Sequence, residues 1–167
     1  VSRGLGDVYK RQGLATLSNG SINEIKTEGR VDKLENSLLS QNIEGSIGIG
    51  HVRWATHGAP NSLNAHPHSS NNVSVVHNGI IENSTLLKKF LIGKGHKFKS
   101  QTDTEVIVHL ITEHLKEDNY IDAIKKTLKL LHGSFALGIL FKDEPDLIVG
   151  ARRGSPLAVG YGPGENY

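Results

Sequence analysis

The sequence predicts an α+β domain in which stacked, largely antiparallel sheets are covered by helices. Three observations carry this expectation. Strand-like runs fall into two groups, with helical periodicity between and after them. No regular strand–helix–strand repeat runs through the 167 residues, a length sufficient for one domain with a real core. No GxGxxG or P-loop string follows any strand, which argues against dinucleotide and Walker-type phosphate binding.

Taken in order, residues 1–12 (VSRGLGDVYKRQ) show neither helical nor strand periodicity. They resemble translated adaptor sequence and are read as a non-native tail outside the fold, a natural flexible tail being the alternative. Gly13–Ser18 and Ile22–Glu28 read as short strands joined by Asn19-Gly20, a strong hairpin signal. Val31–Leu39 has apolar residues at helical spacing, and Ile47–Trp54 alternates as a strand. Val73–His77 is a second, buried strand. Glu82–Leu91 reads as a helix stopped by Gly93 and Gly95.

Thr102 and Glu105 have capping-box spacing at the start of a helix whose apolar face is Val106, Ile107, Leu110, Ile111 and Leu115. A further helix, Tyr120–Leu131, points Ile121, Ile124, Leu128 and Leu131 inward. Ser134–Phe141, Asp146–Ala151 and Leu157–Tyr161 are the closing strand candidates, and Gly154–Asn166 reads as a Gly/Pro-rich loop.

Composition narrows the function classes. A net charge of +2 with scattered basic residues leaves no electrostatic footprint for nucleic acid or an anionic membrane. No apolar run approaches the roughly 18 residues of a spanning helix, and no signal-peptide core is present, so a cytoplasmic setting is expected. The cysteine count is 0, which excludes disulfides, thiolate metal sites and a cysteine nucleophile within these residues.

Chemistry concentrates between Gly50 and Gly79, which holds the one tryptophan and five of the nine histidines. Arg53, Trp54, Thr56 and His57 end a strand with a guanidinium fork, a hydroxyl and an imidazole. Such a fork suits a carboxylate, although a surface arginine beside a half-buried Trp54 explains the local string equally well. Asn64-Ala65-His66-Pro67-His68 invites a metal reading, but no acidic residue lies nearby, so loop histidines that hydrogen-bond backbone are expected and no metal. Asn78-Gly79 offers a side-chain amide and a backbone N–H to an oxyanion, or forms a simple turn. Asp103 suits an ammonium group, or the dipole of its own helix.

Together the strings HVRWATHG, NAHPH, VVHNGIIEN, TDTEV and ARRGSPLAVGYGPGEN resemble the class II glutamine amidotransferase domains of the glucosamine-6-phosphate synthase family. The likeness runs from about Gly13 to Tyr167, which are read as a partial domain. It implies an N-terminal-nucleophile hydrolase αββα sandwich with its first strand and helix missing. It also implies a thiol-dependent glutaminase without cofactors, in which an N-terminal cysteine attacks the glutamine amide, ammonia leaves, and water hydrolyses the resulting thioester.

By motif, Arg53 would bind the α-carboxylate of L-glutamine and Asp103 its α-ammonium, with Trp54, Thr56 and His57 lining the pocket. Asn78 and Gly79 would form the oxyanion hole, and His66 and His77 would support it from behind. The ammonia would pass to fructose 6-phosphate on a sugar-isomerase domain that also dimerises. The chain contains neither that domain nor the cysteine, so the expectation is an inactive fragment. A nucleophile-free glutamine sensor is the alternative.

Overall fold

A computed structural model describes residues 10–41, 43–54 and 61–167, and for Lys10, Arg53 and Trp54 the backbone alone. The first sheet has the order β2–β1–β3, from β1 (Lys10–Ser18), β2 (Ser21–Glu28) and β3 (Ile47–Trp54), with both pairings antiparallel. The hairpin forms as the sequence requires: Asn19 (φ 51°) and Gly20 (φ 67°) both take the left-handed backbone that matches the twist of the flanking strands. Strand β1 corrects one expectation. It begins at Lys10 rather than Gly13, and Arg11 and Gln12 are fully buried within the fold. The Gln12 side-chain amide donates to the Thr27 hydroxyl at 2.9 Å, which ties those residues to β2.

Helix α1 (Val31–Gln41) lies against β1 and β2 and contributes no buried residue. The second sheet has the order β4–β5–β6–β7, from β4 (His68–Ser69), β5 (Val73–Ile81), β6 (Gly133–Phe141) and β7 (Ile148–Arg153), again all antiparallel. The sheets face each other across Ala15, Ile49 and Leu140, with Ile22, Ile47 and Val76 around them. On its far side the second sheet packs Val73, Val75, Phe135, Leu137 and Ile139 against helices α2 (Ser84–Gly93), α3 (Thr104–His114) and α4 (Tyr120–Leu130). The result is an α+β sandwich whose larger core lies between the second sheet and its helices.

Three details depart from the sequence reading. Asp103, not Thr102, is the residue before α3, and it makes no side-chain cap bond. Glu105 reaches back instead to the Lys99 and Ser100 backbone N–H groups at 2.8 and 2.7 Å. In α4, Ile121 is 41% exposed, and Ala123 and Thr127 take the inward positions beside Ile124. Leu157–Tyr161 is not a strand; a small hairpin, β8 (Tyr161–Gly162) with β9 (Glu165–Asn166), forms within the closing loop.

Candidate active site

Strand β5 divides its side chains by alternation. Odd positions face the helices, so His77 is buried and meets α3, its Nδ1 lying 3.0 Å from the Thr104 hydroxyl. Even positions face the gap between the sheets, where the His51 Nε2–H on β3 donates to Asn78 Oδ1 at 2.8 Å. That bond fixes the amide, because Oδ1 can only accept, and the Asn78 NH₂ remains available as a donor. Gly79 follows with φ +131°, and a Cβ there would sit 2.1 Å from the Ser134 carbonyl oxygen. Only glycine fits this position.

The loop between β3 and β4 carries the next layer. His66 is buried, with its ring 4.5 Å from His51, 5.2 Å from His68 and 6.3 Å from His77. Strand β1 comes so close to this loop that a Cβ on Gly13 would lie 2.3 Å from the His66 carbonyl oxygen. The Nε2 atoms of His66 and His68 lie 2.9 Å from the Thr104 and Thr102 hydroxyls respectively. These histidines therefore bond hydroxyl side chains at the start of α3.

Thr102 continues to the Ser100 hydroxyl at 3.0 Å, and Ser100 donates to Glu105 at 2.7 Å. Burial works to raise the Glu105 carboxyl, but hydrogen bonds from His109, Lys99 and Ser100 outweigh it and hold the group down at about 2. Among the described residues, no three or more His, Asp or Glu side chains are grouped so as to hold a metal ion.

The fold thus brings His66, His77, Asn78, Gly79 and Asp103 to one end of the sandwich. Asp103 Oδ2 accepts the Ile81 backbone N–H at 2.8 Å, two residues past Gly79. Arg53 and Trp54 end β3, opposite Arg11 and Lys10 of β1 and just past His51. Thr56 and His57 lie outside the described residues. Sequence reasoning assigned no role to His51 or Thr104, and to His68 none beyond that of a loop histidine. Their signal was present in the histidine-rich stretch and the Thr-Asp-Thr string, but only folding pairs them.

Residues 52–166 match the family model described as a glutamine amidotransferase domain. The chain is 51% identical over 162 residues to a glutamine–fructose-6-phosphate aminotransferase (isomerizing) of Zymomonas mobilis, covering 95% of this chain and 26% of that protein. It is 51% identical over 161 residues to the protein of the same name in Clostridium acetobutylicum, with the same coverage. It therefore spans about a quarter of the length of these curated relatives.

Among solved structures, it resembles glutamine phosphoribosylpyrophosphate amidotransferase from B. subtilis, complexed with ADP and GMP. The TM-score is 0.68 at 31% identity, covering 79% of this chain and 29% of that one. The structure of the allosteric regulatory enzyme of purine biosynthesis matches with a TM-score of 0.69 at 30% identity, covering 83% of this chain and 32% of that chain. With its two antiparallel sheets between helical layers and a family match over most of its length, this chain belongs to the glutamine amidotransferases of the N-terminal-nucleophile hydrolase fold.

Proposed function

We propose that these residues form the glutamine-recognition wall of an amidotransferase. In the longer protein, ammonia released from L-glutamine passes to fructose 6-phosphate, giving glucosamine 6-phosphate. The observation that carries the reading is the His51–Asn78 hydrogen bond, which turns the Asn78 amide so that its NH₂ stays available beside Gly79. An amide N–H and a backbone N–H at one point are the donors a tetrahedral oxyanion requires.

Asp103 keeps Oδ1 for the α-ammonium while Oδ2 holds Ile81. Arg53 supplies the fork for the α-carboxylate, and Trp54, Thr56 and His57 line the pocket. The attacking thiol comes from outside these residues, since the chain has 0 cysteines. The sugar-binding and dimerising parts likewise belong to the remaining length of the protein. By itself the chain releases no ammonia, because the thioester cannot form without a thiol.

Two measurements test this. Incubation with glutamine is expected to give ammonia at background, and release above it would overturn the assignment. A glutamine titration followed by NMR is expected to move Asn78, Gly79 and Asp103 at millimolar concentrations. Undisturbed resonances at those residues would defeat the site. Saturable micromolar binding would favour a second reading that the missing cysteine also suits, a glutamine sensor.

A further inference from the structure

Thr104 is the first residue of α3, is fully buried, and was assigned no role by any motif. Its Oγ1 lies 2.9 Å from His66 Nε2 and 3.0 Å from His77 Nδ1. We propose that Thr104 is a positioning residue: its one hydroxyl locks His66 and His77 into the same tautomer and, with Asp103, clamps β5 on both sides of Asn78-Gly79. The tautomer lock stands on geometry alone. Its consequence for the reacting oxygen rests on the reading of Asn78 and Gly79 given above.

A threonine hydroxyl has one proton to donate and lone pairs to accept. When Thr104 donates to His77 Nδ1, that ring carries its proton on Nε2, and Thr104 accepts from the Nε2–H of His66. When Thr104 donates to His66 Nε2, that ring carries its proton on Nδ1, and Thr104 accepts from the Nδ1–H of His77. Both satisfied arrangements give the two rings the same tautomer. Either mixed arrangement wastes a bond: two ring donors leave the hydroxyl proton unused, and two ring acceptors compete for it. In a buried site an unmade bond is expensive, which enforces the match.

The clamp follows from the same helix end. Thr104 holds His77 and Asp103 holds Ile81 through its backbone N–H at 2.8 Å, so α3 grips β5 immediately before and two residues after Asn78-Gly79. His66 carries the coupling onward, since its ring edge meets His51, the residue that orients the Asn78 amide. One hydroxyl thereby connects the helix layer to the group between the sheets.

The test is the ring nitrogen spectrum of ¹⁵N-histidine-labelled chain at pH 8, above the ordinary imidazole pKa of about 6.5. Wild type is expected to show His66 and His77 as the same tautomer, and Thr104→Ser to preserve it. Thr104→Val, which keeps the shape without the hydroxyl, is expected to release the match and to shift the Asn78 and Gly79 amide resonances. Opposite tautomers in wild type would overturn the proposal, as would a Thr104→Val spectrum identical to wild type. If Thr104→Val does not fold, the wild-type and Thr104→Ser spectra still decide it. Failure of glutamine to bind would defeat the proposed function while leaving these tautomers in place.

Discussion

His51 and Asn78 join the two sheets through a 2.8 Å hydrogen bond from a ring N–H to an amide oxygen. The bond orients a side chain on one sheet from a residue on the other. Any change that separates the sheets therefore also releases the amide.

Replacing His51 with Ala tests this link directly. The hydrogen bond is near solvent, so its loss is expected to cost only about 1 kcal/mol of stability. The Asn78 side-chain NH₂ resonances are expected to move toward the shifts of a freely rotating asparagine side chain. Unchanged Asn78 resonances would show that the amide is held by something else.

Asp103 can be tested for charge without breaking the fold. In Asp103→Asn the amide oxygen still accepts the Ile81 N–H, while the negative charge proposed to face the substrate ammonium disappears. Stability is expected to stay within about 1 kcal/mol of wild type. Glutamine affinity, read by NMR titration, is expected to fall about tenfold or more, or about 1.4 kcal/mol. Equal affinity in the two proteins would remove Asp103 from the ammonium site.

Glu105 makes the fold acid-sensitive. Its carboxyl is held at about 2, below the ordinary 4.5, so the folded state favours the ionised form. The stabilisation is complete above pH 4.5 and is lost as pH falls from there toward 2. A shift of this size corresponds to about 3 kcal/mol. Glu105→Gln is expected to lose that amount at pH 7 and to unfold in urea with a flatter pH dependence between pH 5 and 3. Glu113 is also held down at about 2, chiefly by Lys116 and then His96, so some acid sensitivity is expected to remain. A Glu105→Gln protein matching wild type at both pH values would contradict the assignment.

Gly79→Ala is expected to cost at least about 3 kcal/mol, since it combines backbone strain with a clash. At φ +131° the new methyl would sit 2.1 Å from the Ser134 carbonyl oxygen, which β6 cannot move without breaking its pairing to β5. A urea midpoint close to wild type would show that the strand relaxes there.

The sequence alone determined most of the helices and strands. Asn19-Gly20 encodes its own turn through backbone preference, and the spacing of Val106, Ile107, Leu110 and Ile111 encodes a buried helix face. Both signals are local, carried by residues within a few positions of one another. The motif strings likewise pointed to Asn78, Gly79 and Asp103, because each residue type suits the role proposed for it. Local sequence failed at element ends, as with Glu105, which bonds the loop before it rather than completing a cap at Thr102.

Tertiary structure decided which groups meet. Asn78 finds His51 from 27 residues away, and Thr104 finds His66 from 38. A strand's period of two tells which side a residue takes, not what waits there. That depends on how two sheets and a helix stack, a long-range outcome of burying Leu140 against Ile49 and α3 against β5.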